Sequence, residues 1–341
     1  RFAGNSVLGD GPGTVKIVSG ANVAFDGPVS DGGFAVNVEK SGRGWLYLTN
    51  TSSANNLGAS SSIELKGAGD TQSASTSVGS TTVNVGSTSA LAIGMTVTGL
   101  GIAPGAVITE ILGGGAVKIS AAATANGSPT LTFASIPSLV LQGSTAAGAF
   151  NPAGNASIIL NRGNLVLDSK GATETGVGPT YNNAVQVLQN ATIQSVVNAA
   201  TTTLGSSTNG IAISSGKVLT LDAISGGRPG TDPGATLRIA GSIAGDSLTS
   251  LIIRSTQMNA GVTINATDAI ANSVAQQIGF AAQPGTVVLA GNNSTFLGAV
   301  TIEPGAGLRV EGPLALSGKN LTLNGGTLAL VGDGDGTGGF E

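Results

Sequence analysis

The sequence holds no cysteine and no histidine. That excludes thiol chemistry, disulfide staples, Cys/His zinc sites and histidine-based catalytic triads. Charge is scarce: 14 basic against 18 acidic residues leave a net charge of −4, and only 9% of the 341 residues are charged. This balance does not build the basic face that nucleic acid requires. Aromatic residues amount to 3%, so large rings cannot fill the interior. The longest apolar runs, such as Ile158-Ile159-Leu160 and Leu251-Ile252-Ile253, fall far short of the ~20 residues of a membrane helix. The opening Arg1-Phe2-Ala3-Gly4 has no apolar stretch of the kind a secretion signal carries.

Glycine is abundant instead, with 55 residues, more than twice the usual share of about 7%. A glycine-rich chain with few charges could be a linker, but disorder requires low hydrophobicity. Here 40% of residues are hydrophobic and the mean hydropathy is +0.30. Apolar surface is therefore buried, by alanine, valine, isoleucine and leucine.

Those aliphatics come in short, period-two stretches closed by Gly, Asn, Asp or Ser. Examples are Thr14-Val15-Lys16-Ile17-Val18, Trp45-Leu46-Tyr47-Leu48, Ser62-Ile63-Glu64-Leu65 and Ser138-Leu139-Val140-Leu141. The pattern returns at Asn164-Leu165-Val166-Leu167, Val218-Leu219-Thr220-Leu221, Thr236-Leu237-Arg238-Ile239, Thr286-Val287-Val288-Leu289, Ala299-Val300-Thr301-Ile302 and Thr327-Leu328-Ala329-Leu330. Alternation over four to six residues with turn residues between predicts an all-β chain. The stretch 268–278, where Ile270, Val274 and Ile278 recur at i, i+4, i+8, reads as one short helix or an irregular loop.

Self-similar short strands at irregular intervals predict a β-solenoid, in which no coil buries its apolar face alone and stacked coils share a continuous core. A narrow interior of this kind leaves little room for Trp or Phe. Residues 71–135 break the rhythm with five or six closely spaced strands, from Thr81-Thr82-Val83-Asn84-Val85 to Thr130-Leu131-Thr132-Phe133. They predict a small β-barrel or sandwich inserted at a coil corner, between a first solenoid part at 1–70 and a second at 136–341. At about 20 residues per coil and ~4.8 Å per rung, the solenoid would form a rod of about 65 Å.

The stretch Gly285-Thr286-Val287-Val288-Leu289-Ala290-Gly291-Asn292-Asn293-Ser294-Thr295-Phe296, continuing through Ala299-Val300-Thr301-Ile302 to Gly307-Leu308-Arg309-Val310, resembles the bacterial autotransporter-associated β-strand repeat. Phe296 stands where that family usually has Tyr. Asn182-Asn183-Ala184-Val185 and Val218-Leu219-Thr220-Leu221 resemble openers of further coils, and residues 81–133 are similar to a small β module of large bacterial surface proteins. The resemblance implies a right-handed parallel β-helix, an extracellular or cell-surface location, and a role as stalk, adhesin or matrix element rather than enzyme.

Candidate sites are few. Asp333 and Asp335, in Gly332-Asp333-Gly334-Asp335-Gly336, have the Asp-x-Asp-Gly spacing of a calcium loop, but no closing Glu follows, and a polar turn is the plainer reading. Ser214-Ser215-Gly216-Lys217 contains an S-x-x-K string, which needs a helix and partner motifs to act as a nucleophile and reads as a turn. Asp222, Arg228, Asp232 and Arg238 gather acids and bases around a Gly/Pro loop; they offer carboxylates for polysaccharide cleavage, or simply a solvated corner. Threonine runs such as Thr201-Thr202-Thr203 lack the regular spacing of an ice-binding array and read as outer-face filler. Trp45 and Tyr47 share one strand face and are the candidate glycan contact.

Neither end shows an obvious cap against edge pairing. Arg1, Phe2, Phe340 and Glu341 are therefore the expected assembly edges. Joining Gly339-Phe340-Glu341 to Arg1-Phe2-Ala3 would read as more repeat. The expected partners are copies of the same chain or neighbouring repeat segments, with a cell-surface glycan as the second possibility. The sequence points to no cofactor and to no catalytic residue.

Overall fold

The computed structural model describes residues 1–18, 21–42, 44–49, 56–67, 69–89, 91, 93, 95–103, 106–143, 151–169, 176–196, 200–224, 234–256, 285–316 and 320–331. Among them the protein is all-β apart from one 3-10 turn at Pro313–Ala315. No described helix is long and apolar enough to cross a membrane. The helix suggested at 268–278 lies outside the described residues.

Three wholly parallel sheets carry most of the chain. The first has nine strands, from Val23–Phe25 and Trp45–Leu48 through Ser138–Gly143, Asn164–Ser169, Ala191–Ser195, Val218–Ala223, Ser250–Arg254 and Ala299–Ile302 to Leu321–Leu323. The second has seven, from Gly13–Val18 to Ile243–Ala244, and the third has six, from Gly176–Tyr181 to Thr327–Val331. The backbone visits them in rotation: Asn164–Ser169 in the first, Gly176–Tyr181 in the third, Val185–Val187 in the second, then Ala191–Ser195 in the first again. Such a path is consistent with a β-helix or solenoid-like fold.

Register turns the period-two pattern into continuous inner columns. In the first sheet Val23, Leu46, Leu139, Leu165, Ile193, Leu221, Ile253, Ile302 and Leu323 are successive partners. In the second, Val15, Val38, Ile63, Ile158, Val185, Ile211 and Ile243 do the same. The columns merge into one hydrophobic cluster along the coils, each buried aliphatic contributing about 1.5–3 kcal/mol relative to exposure. Gln194 and Asp222 stand side by side on neighbouring rungs and are 28 residues apart. The expected coil of about 20 residues is thus too short, because three sides and their corners must be spanned. Nine rungs at ~4.8 Å make the first sheet about 40 Å deep, not 65.

Corners explain the glycine. A Cβ on Gly241 would lie 2.1 Å from the Asn209 carbonyl oxygen, and one on Gly291 would lie 2.1 Å from that of Gly241. Coils stacked at strand spacing leave no room there for any side chain. The interior is less exclusively aliphatic than expected: Tyr181 is completely buried and Phe296 nearly so. The Tyr181 hydroxyl receives the Gly143 N–H at 2.9 Å, donates toward the Leu141 carbonyl at 2.8 Å and lies beside the Asp168 carbonyl. A large ring fits because its one polar atom is used to tie the corner together.

Gly69–Ser75 through Thr130–Ala134 behave differently. Six strands in this stretch pair antiparallel, and a bridge between Thr96 and Val107 joins the two end strands of the sheet. Val83, Met95, Val97, Ile108, Val117, Ile119, Leu131 and Phe133 form a hydrophobic cluster of their own. This sheet departs from the coil between Ser62–Lys66 and Ser138–Gly143. One coil further on, the same corner is turned between Asn161 and Asn164 by Arg162 and Gly163, with Arg162 in the left-handed region at φ 63.

Several buried positions break the apolar rule, Lys40 and Thr202 among them. Lys40 stands in an inner column between Ile17 and Leu65, fully buried, its Nζ donating to the Ser41 and Gly42 carbonyls at 2.6 and 3.2 Å. Burial pushes its pKa down to about 8. Thr202 pairs with Leu237 on the inner side, and its buried hydroxyl has no hydrogen-bond partner among the described residues.

Three outcomes are expected. Tyr181→Phe leaves the Gly143 N–H unpaired and costs about 1–3 kcal/mol in denaturant unfolding. Thr202→Val removes an unsatisfied hydroxyl at equal volume and raises the melting temperature. The folded state resists protonation of Lys40, whereas the unfolded lysine titrates near ~10.4. Stability should therefore rise as pH climbs from about 8 toward that value, and thermal melts of Lys40→Met should lack this gain.

Candidate functional site

Three outward-facing groupings stand out. On the first sheet Leu46 and Leu48 point into the core, so Trp45 and Tyr47 share the outer face. Their rings stack, with centroids 5.9 Å apart and planes 20° from parallel. Asn22 Oδ1 fixes the strand start by accepting the Trp45 N–H at 3.0 Å. The Tyr47 phenol is pushed above its usual range by burial and by the Asp168 carboxylate, with Arg1 opposing. Both rings are partly buried, and Tyr47 lies in register between Ala24 and Val140, which are themselves buried.

Arg1 reaches Asp26 at 3.5 Å, and Phe2 stacks on Phe25 with centroids 5.0 Å apart. The Phe2 N–H donates to the Ala24 carbonyl at 2.8 Å, so this segment begins to cover the outer edge of Val23–Phe25. Phe2 itself remains about half exposed. Phe340, Glu341, Asp333 and Asp335 lie outside the described residues, as do Arg228 and Asp232. No described cluster of three acidic, Cys or His residues is placed to hold a metal ion.

The second grouping corrects the acid–base cluster. Asp222 lies on the first sheet and Arg238 on the third, so the fold does not bring them together. Nor is Asp222 a solvated corner residue: it is 3% exposed. It accepts from Gln194 Nε2 at 3.0 Å, from the Thr256 N–H at 2.9 Å and from Thr256 Oγ1 at 2.6 Å. Arg254, its neighbour in register, grips Glu303 through Nε and Nη2 at 2.7 and 3.1 Å. The Arg254 hydrogen bonds hold the Glu303 carboxyl below its usual range, against burial. Ser214–Lys217 closes a turn through a 3.1 Å Lys217 N–H to Ser214 carbonyl bond, with Gly216 at φ 66, so the S-x-x-K string has no helix.

The third grouping was not anticipated. Strand register on the third sheet aligns Thr201, Thr236, Thr286, Gly307 and Thr327 in one outer column. Beside it run Arg238, Val288, Arg309 and Ala329. Val288 faces outward yet is only 4% exposed, in register between Arg238 and Arg309. Glu311 joins both guanidinium groups, accepting a hydrogen bond from Arg238 Nη2 at 3.1 Å and forming an ion pair with Arg309 Nη2 at 3.3 Å. Together these residues line a shallow groove of about 550 Å³. Positions 201, 236, 286 and 327 show no regular spacing, so sequence inspection gives no hint of the column. Arg238 and Thr201 were visible in the sequence only as parts of an acid–base cluster and a threonine run, and Thr286, Gly307 and Arg309 only within the repeat-like stretch.

No family model matches the chain, so the resemblance to autotransporter-associated repeats gains no support there. No curated protein matches it either. Among solved structures, the Gp54 tailspike of Acinetobacter baumannii bacteriophage AP22, in complex with A. baumannii capsular saccharide, aligns over 94% of this chain at 9% identity and a TM-score of 0.17. The alignment spans 64% of the tailspike, less than two thirds of its length. An overlay that loose supports no statement about ligand or activity. The all-β, parallel architecture rests on the strand register itself.

The chain has two tyrosines, and burial puts Tyr181 out of reach of ordinary titration. An ultraviolet absorbance titration should therefore report Tyr47 first. Asp168→Asn should move that step to lower pH, because the carboxylate is one of the two causes raising it.

Proposed function

We propose that this chain is a non-enzymatic structural protein of the bacterial surface: a β-solenoid subunit of an extracellular filament, stalk or matrix. In this reading the coils form a right-handed parallel β-helix, residues 71–135 are a module inserted at one corner, and copies stack end to end. The observation that carries it is the state of the last described rungs. Leu323 and Leu330 continue the inner columns of Ile302 and Val310, which are fully buried, yet they are 54% and 52% exposed. One more rung from a second copy would bury both and satisfy the strand edges. A neighbouring repeat segment of a longer chain would do the same.

A non-catalytic role is supported by the engagement of Asp222, a carboxylate the sequence offered for polysaccharide cleavage, with Gln194 and Thr256. The assignment needs no cofactor; chelator-insensitive melting would agree, and a large loss of stability on chelation would bring calcium at Asp333 and Asp335 back. The second reading is an adhesin that holds a cell-surface glycan, favoured by the outward Trp45–Tyr47 stack and open also to the 71–135 module.

Electron microscopy across a concentration series should show rods that lengthen with concentration. The double variant Leu323→Lys, Leu330→Lys should remain as single particles. Dispersed particles of constant size in the parent protein would overturn the stacking model.

A further inference from the structure

We infer that the groove on the third sheet is a binding site for a carboxylated glycan chain. The groove differs from the rest of this acidic chain in its charge: Arg238 and Arg309 stand against the single carboxylate of Glu311, which leaves one unit of positive charge at its wall. Glu311 uses one nitrogen of each guanidinium, Nη2 in both cases. Side-chain exposures of 36% for Arg238 and 48% for Arg309 leave further N–H donors facing the groove. Glu311 thus orients the two forks without consuming them, and a planar carboxylate is the group that such forks bind in pairs.

The floor supplies a second chemistry. Gly307 interrupts the threonine column, and a Cβ built there would meet Thr286 Oγ1 at 3.1 Å and Thr327 Oγ1 at 3.6 Å. Gly307 itself is buried, with the Gly285 carbonyl at 3.4 Å from the same point, so the two threonine hydroxyls close over the glycine and form the groove floor there. Thr236 and Thr201 extend the same line of donor–acceptor groups along the stacked coils. Repeated hydroxyls at rung spacing match a chain that itself carries repeated hydroxyls. A peptide would want an apolar pocket or a free strand edge, and this outer face provides neither. Nucleic acid would want far more positive charge than two arginines. The carboxylate sits against Arg309 and Arg238, and the sugar hydroxyls exchange hydrogen bonds with Thr286, Thr327 and Thr236.

The site is on the side of the coils and is separate from the Trp45–Tyr47 face, so it stands independently of whether copies stack. Isothermal calorimetry with the full chain tests it, using an oligogalacturonate, a neutral maltodextrin of equal length and a sulfated heparin oligomer as probes. Oligogalacturonate should bind, more weakly as salt rises, and maltodextrin should not. Arg309→Gln should weaken binding at least about tenfold, while Glu311 keeps its bond to Arg238. Gly307→Thr pushes the Thr286 and Thr327 hydroxyls aside and should abolish binding. If that variant misfolds, Thr327→Val should show a partial loss instead. Trp45→Ala should leave binding unchanged, and Leu323→Lys with Leu330→Lys should alter assembly under the microscope but not the calorimetry. The inference fails if oligogalacturonate does not bind, if its binding survives both Arg309→Gln and Gly307→Thr, if maltodextrin binds equally, or if only the sulfated oligomer is held.

Discussion

Hydrogen bonding between parallel strands holds neighbouring coils at ~4.8 Å, and most other features of the molecule answer to that spacing. A coil must turn its corners where the one below turned them, because its backbone has no other place to pair. Where two corners nest at that distance, as at Gly241 and Gly291, even a methyl group would collide with a carbonyl. Between corners, each inward residue meets its counterpart in the next rung, so the interior is filled by files of Leu, Ile and Val. This accounts for a core built without sulfur bridges and with few rings.

The same register organises the outside. Side chains that are remote in the sequence become neighbours on adjacent rungs, and the scarce charges are gathered in this way: Arg254 with Glu303, or Arg238 with Glu311, which Arg309 also reaches. Exposed ion pairs of this kind add at most about 1 kcal/mol each, so they do little to hold the coils together. Stability comes from the buried files, and the outer columns are free to carry recognition. That division of labour lets one scaffold present an aromatic plate on one sheet and a guanidinium–hydroxyl groove on another.

Two solutions to the problem of strand edges coexist in the chain. The antiparallel sheet beginning at Gly69–Ser75 links its own end strands through the Thr96–Val107 bridge and encloses a separate hydrophobic cluster. The parallel sheets instead satisfy each strand with the next coil, which defers the edge to the final rung. Half-exposed leucines in the last described rungs are the physical cost of that deferral.

Strand positions could be read directly from the chain: Trp45–Leu48, Ser62–Lys66, Ser138–Gly143, Thr236–Ile239 and Thr286–Leu289 stand where alternating aliphatics between turn residues place them, because period-two burial is a local property. Burial of Tyr181 and Phe296 could not be read, since each depends on space created by residues from other coils. Lys40 inside an aliphatic file is another case: nothing local distinguishes it from the exposed lysines. The threonine column and the paired arginines were hidden because corner lengths vary, so equal steps in space are unequal steps in sequence. Composition and alternation by themselves determined an all-β chain that packs small aliphatics between glycine turns. The tertiary structure alone decided which strands are neighbours, and through that pairing every column, groove and buried charge. The physical reason is that pairing depends on loop lengths and long-range register, and no single stretch of sequence contains these.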